Sequence, residues 1–214
     1  MSALEKLIEA KVAEALAEIE RARYRGSPTD LRVCTHEVAH ACVGWLVGGS
    51  PLVEVVIRDD ASGEMTNEAS ARAAVAPAGE DRAAVLERLR ADHPEVLRST
   101  LGRQIATCLA GITADERAGH ARWTSSISDL AQVDRLAEIA VGRPDRDRFL
   151  VPIRAAVKLA VHDAWPLVVE LSDLLADERR LPGPFVEAWL EARPEAQSLR
   201  SYYSAAFEPV DAAA

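Results

Sequence analysis

One stretch of the chain constrains everything around it. From Leu31 to Val47 the sequence reads LRVCTHEVAHACVGWLV, with Leu31, Cys34, Val38, Cys42 and Trp45 along one helical face and Val33, Val43, Gly44 and Val47 on the others. A helix that is apolar nearly all round is stable only when other elements enclose it, so this spacing predicts a buried central helix. Its ends are marked as well. Ser27 supplies a cap, Pro28 the first helical position and Asp30 an acid three residues after the cap. Gly48 and Gly49 allow a left-handed exit after about five turns.

Within this apolar surface stand His36, Glu37 and His40, in the sequence HEVAH. Residues four apart on a helix differ by about 40° in direction and about 6 Å in rise, so both imidazoles project from one side and can share a metal ion. Glu37 lies about 100° from His36, close enough to serve a water beside that ion without coordinating it. Burying three ionisable groups in an apolar helix is costly unless something satisfies them, and a metal ion with its water would do so. Composition alone predicts roughly 0.01 occurrences of the pattern in such a chain. Val43 and Leu46 stand where an extended HExxHxxGxxH motif would have Gly and His, which excludes the metzincin arrangement.

The remaining sequence is helical in rhythm. Leu4, Leu7, Ile8, Val12, Leu16 and Ile19 mark an N-terminal amphipathic helix within residues 1–25. Further helices are expected at about 81–92, 95–118, 128–141, 145–163, 167–177 and 184–192. Between them, Val53 to Ile57 reads as a firm strand, and the turn-forming Asp59, Asp60, Ser62 and Gly63 lead into a weaker returning one. The expected fold is mainly α, with one small β element beside the motif helix. It comprises the N-terminal helix, a domain over residues 26–194 and a loosely held tail over 195–214.

Charge and cysteine usage bound the partners. Thirty-four acids against 25 bases give a net charge of -9, and no basic stretch offsets that field, which argues against nucleic acid. Cys34, Cys42 and Cys108 form no CxxC pair and fit a reducing, cytoplasmic setting. The longest apolar run, Ala41 to Gly49, is too short to cross a bilayer, and the N-terminus has no signal-like apolar core. A soluble protein without a membrane partner is expected.

Two histidines need a further donor. By residue type, Glu54, Glu64, Glu116, Asp129, His93, His120 and His162 all qualify, and composition does not choose among them. Asp129, three residues after Ser126, reads by itself as part of a capping box before it reads as a ligand. Glu116 is an alternative ligand or a carboxylate that orients a ligand histidine.

These segments carry a family resemblance. THEVAHACVGWLV followed by PLVEVVI resembles the HEAGHALVG...V.KVTI segment of the FtsH-type zinc metalloproteases. LGRQIATCLAGITADERAGH is similar to that family's GGRAAEELVFG stretch, with Gly111, Ala114 and Glu116 in register. TSSISDLAQVDRLAEIA resembles TTGASNDLERATEIA, and SDLLADERRLPGPFVEAWL the closing element of the same peptidase domain. Val38-Ala39 stand where the family has Ala-Gly, and Ser128 where it has Asn. The resemblance covers roughly residues 31–192 and implies a zincin-type, FtsH-like peptidase domain. His36, His40 and Asp129 would bind Zn2+ and Glu37 would be the general base.

The implied activity is metal-assisted hydrolysis of peptide bonds. The alternative is a zinc-binding, non-catalytic interaction module. With no GxxxxGK[ST] loop and no GK dipeptide, the chain carries no ATPase module, so its substrates should be peptides or unfolded proteins, or be delivered by a separate ATPase. The resemblance is compatible with a homo-oligomeric ring. The strand from Leu52 to Arg58 is a candidate edge for an extended peptide, or else an internally paired strand.

Overall fold

The computed structural model describes residues 28–58, 62–68, 82–120 and 124–208. The expected N-terminal helix over residues 1–25 lies outside them. Helix α1, Pro28–Leu46, is the axis of the fold. Every residue from Val33 to Val47 is buried, as an all-round apolar helix requires. After it come strands β1, Leu52–Ile57, and β2, Gly63–Asn67, then helices α2, Arg82–Asp92, α3, Pro94–Arg117, and α4, Thr124–Val141. A 3-10 turn at Arg143–Asp145 leads into α5, Arg146–Asp163, and α6, Trp165–Glu178. Strand β3, Arg180–Pro182, and helices α7, Gly183–Glu191, and α8, Pro194–Ala206, complete the described chain.

The mainly helical expectation fits this architecture. α3 and α6 pack along α1, the small sheet covers another side, and α4 and α5 lie against α3. Prolines sit at the starts of α3, α6, α7 and α8, where a missing N–H costs no hydrogen bond. Pro152 lies inside α5.

One open alternative is decided, in favour of an internally paired β1, and one expectation is corrected. The sheet has three strands in the order β2-β1-β3, both pairings antiparallel, with Val55 opposite Met65 on one side and Leu181 on the other. β1 is therefore the central strand and offers no edge to a peptide. Strand β3 was hidden because its three residues, between a helix end and Gly183, are too few for an alternating pattern.

The tail expected to be loose from residue 195 is docked as far as residue 208. Ala196 and Tyr203 of α8 are buried, and the Tyr203 hydroxyl donates to Asp163 Oδ2 at 2.6 Å. Arg200 lies over the Trp45 ring at 4.3 Å, and the Phe207 carbonyl accepts from Ser99 and from Arg103. A few large side chains anchor a helix whose composition is otherwise polar and small. Residues 209–214 lie outside the described chain.

Candidate metal centre

The motif helix delivers both imidazoles to one point. His36 Nε2 and His40 Nε2 are 3.0 Å apart, and Asp129 Oδ2, from the second turn of α4, lies 3.2 Å from the first and 3.5 Å from the second. The other nitrogen of each ring is committed elsewhere. His40 Nδ1 donates to the Thr107 carbonyl at 2.7 Å, and His36 Nδ1 donates to Asp115 Oδ2 at 2.9 Å. Carbonyl and carboxylate oxygens only accept, so both Nδ1 atoms carry hydrogen, and in the neutral rings both Nε2 lone pairs face inward.

With both rings neutral, three acceptors so close together repel unless a proton or a metal ion lies among them. Donors about 2.1 Å from a tetrahedral ion stand about 3.4 Å from one another, and these three atoms, 3.0 to 3.5 Å apart, come close to that. His36, His40 and Asp129 thus form a group that could hold a metal ion.

The electrostatics point the same way. Burial alone would drive His36 toward its neutral form, but hydrogen bonds to Asp115 and Asp129 outweigh it and lift the ring from 6.5 to about 10. Burial pushes Asp129 upward, and the two histidines overcome that and hold it well below the usual carboxylate range. The cluster therefore favours positive charge at its centre, supplied by a proton or a metal ion.

Close packing of α3 on α1 makes this geometry possible. A Cβ on Gly111 would sit 2.5 Å from His40 Nε2 and 2.6 Å from His36 Nε2, so only glycine leaves room for the rings. Thr107, Gly111 and Asp115 recur every four residues and form the face of α3 that serves both histidines.

Glu37 is buried beside the donors but outside their group. Its carboxylate accepts from the Met65 backbone N–H, and burial raises its pKa, with His40 and His36 pulling the other way. β2 lies so near that a Cβ on Gly63 would come within 2.5 Å of Glu37 Cγ. His36, Glu37, His40 and Asp129 open together onto a cleft of about 560 Å³, walled by β2, by Gln104 and Cys108 of α3 and by Gln132 of α4. Burial, followed by the charge of Asp129, pushes Cys108 up to about 12, which keeps it a thiol.

The structure thus brings together His36, Glu37, His40 and Asp129. Asp129 is committed to the histidines, and α4 begins at Thr124, two residues before the expected cap at Ser126. Glu116 is exposed and outside the group, and Asp115 holds the orienting position expected of it. One residue on a helix is about 100° of rotation, enough to turn a side chain from the α1 face to solvent. Glu54 pairs with Arg180 and Glu64 with Arg58, and His93, His120 and His162 lie outside the donor group. Cys34 and Cys42 are core residues, as expected.

Sequence reasoning missed Asp115, the Thr107 carbonyl and the packing roles of Gly111 and Gly63. A glycine within an apolar helix, followed four residues later by an acid, was the available signal for the first and third. No helix among the described residues is long and apolar enough to cross a membrane. No family model and no curated protein matches this chain, so the centre has to be understood from its own geometry.

Proposed function

We propose that the chain is a zinc metallopeptidase of the FtsH-like type, acting on peptides or unfolded protein. The observation that carries this reading is the convergence of three donors with a fourth, non-ligating carboxylate on one cleft. Two histidines and an acid fit zinc, and a structural site would enclose the ion with four protein ligands, whereas the described residues supply three. Zinc held there supplies Lewis-acid polarisation of a carbonyl and an acidified water.

The chain's own residues do the rest. Asp115 and the Thr107 carbonyl keep both Nε2 atoms aimed inward. Glu37, its proton affinity raised by burial, takes the proton of the attacking water and returns it to the departing amine. β2 replaces β1 as the strand that binds substrate. It is at the edge of the described sheet, and Met65 turns its N–H toward Glu37, so the side of β2 carrying Gly63, Met65 and Asn67 faces the cleft. An extended peptide lying along that side would be held by main-chain hydrogen bonds with little sequence preference.

The test is Glu37→Gln. The purified wild type should carry about one zinc per chain and cleave casein without nucleotide. The variant should keep its zinc and lose about 10²- to 10⁴-fold in rate. Full activity with zinc retained would remove Glu37 from the mechanism, and inactivity of a zinc-loaded wild type on all unfolded substrates would favour the non-catalytic zinc module.

A further inference from the structure

The carboxylate that orients His36 is itself approached by another histidine. Helix α3 ends at Arg117, and the chain turns back through Gly119, whose φ of 73° is a left-handed conformation. The Gly119 amide donates to the Glu116 carbonyl at 3.2 Å and the His120 amide to the Asp115 carbonyl at 2.8 Å. This is the Schellman pattern, in which the last residue folds back on the one five positions earlier, commonly through an apolar contact. Here those positions are His120 and Asp115.

Nδ1 of His120 is enclosed, has no hydrogen-bond partner among the described residues and lies 3.8 Å from Asp115 Oδ1. The other oxygen of Asp115 receives the His36 N–H. The Asp115 side chain is 3% exposed and that of His120 is 33%, so the series His120, Asp115, His36 runs from the surface to the metal donors.

We propose that His120 is a positioning residue for the metal centre, acting through Asp115 to set the direction and basicity of His36 Nε2. The proposal rests on the reading of His36 as a metal ligand. At 3.8 Å the enclosed imidazole nitrogen is beyond hydrogen-bond length but stands against the second oxygen, where its dipole or charge favours one orientation of the carboxylate and so of the ring that donates to it. A cap alone would be served better by leucine at position 120, because the usual contact there is apolar.

His120→Leu and His120→Asn separate these roles. Leucine keeps an apolar cap and removes the donor, while asparagine keeps a donor where Nδ1 stands. In competition with a chelator, His120→Leu should bind zinc about tenfold more weakly, the lower end of the effect of outer partners, and His120→Asn should recover most of that loss. In zinc-free protein the proton resonance of His36 Nδ1–H, which reports the bond to Asp115, should shift in His120→Leu and return toward wild type in His120→Asn. Should the leucine variant fail to fold, His120→Ala takes its place with the same expectations. Unchanged affinity with an unmoved resonance overturns the proposal, as does an equal loss in the leucine and asparagine variants. A wild type that binds no zinc while the resonance still moves would leave this coupling standing and defeat the metal reading instead.

Discussion

His36 and His40 are the same residue one helical turn apart, yet unlike partners hold them. His36 donates to a carboxylate, which carries charge, favours a cation on the ring and makes the ring a stronger electron donor. His40 donates to the Thr107 backbone carbonyl, which fixes tautomer and direction but adds no charge. One ring is tuned by a side chain that a single substitution can change. The other is fixed by the path of a helix, which a substitution alters only by moving the backbone.

The largest effect should come from a change that strikes both rings at once. Gly111→Ala places a methyl group within 2.5 Å of one Nε2 and 2.6 Å of the other, and each ring is anchored at its far nitrogen, so neither can step aside. Bound zinc should fall from about one per chain to near none, with stability lowered by about 1–3 kcal/mol from overpacking. Metal analysis and thermal unfolding measure the two. A Gly111→Ala protein that keeps its zinc would show that α3 can withdraw, and the contrast between the two supports would lose its basis.

Separating the rings is the next step. Asp115→Asn keeps the shape beside His36 and removes the charge, so zinc affinity should drop by about 10- to 100-fold, as when an outer carboxylate is lost. Chelator competition reads this directly. The equivalent Glu116→Gln change, on the exposed side of α3, should leave affinity close to wild type.

The contrast also shows what the sequence could disclose. HEVAH announces two donors and a carboxylate beside them because their relation is local, fixed by helical periodicity. The central position of α1 was legible for the same reason, since apolar residues on every side demand enclosure. Asp129 stands 89 residues beyond His40, and spacing alone favoured a cap over a ligand there. Asp115 was overlooked in favour of its neighbour because the phase of α3 about α1 depends on where Gly111 makes its close approach. Backbone partners such as the Thr107 carbonyl leave no mark in residue types. β3 and α8 escaped notice because a three-residue strand has no period and α8 is anchored by very few large residues.

Acidity gives a graded test of the charged support. With no metal bound, His36 holds a proton up to about pH 10, well above the 6.5 of a free ring. That protonated ring contributes stability that is fully present below pH 6.5 and is lost as pH rises through about 10. Zinc needs the neutral ring and must displace the proton, so binding and protonation compete. Apparent zinc affinity should therefore climb about tenfold per unit between about pH 7 and about pH 9, one proton leaving for each ion bound. In Asp115→Asn the climb should flatten at lower pH, because a ring without that carboxylate gives up its proton more readily. An identical slope in both proteins would mean that Asp115 does not govern the charge on His36.

The smallest effect is expected on the neutral side. Thr107 is buried, its hydroxyl donates to the Arg103 carbonyl at 3.0 Å, and its side chain meets α1 at Gly44. Thr107→Val removes that hydroxyl and keeps the branched shape. The Arg103 carbonyl retains its place in the helix, so the lost bond should cost only about 1 kcal/mol. The atom that holds His40 is the backbone oxygen, which the substitution does not touch. Zinc affinity should consequently stay within about twofold of wild type, far from the loss expected at Asp115. If Thr107→Val loses as much affinity as Asp115→Asn, the direction of His40 is set by how the Thr107 side chain seats α3 against Gly44. The two histidines would then be supported alike, each through a side chain.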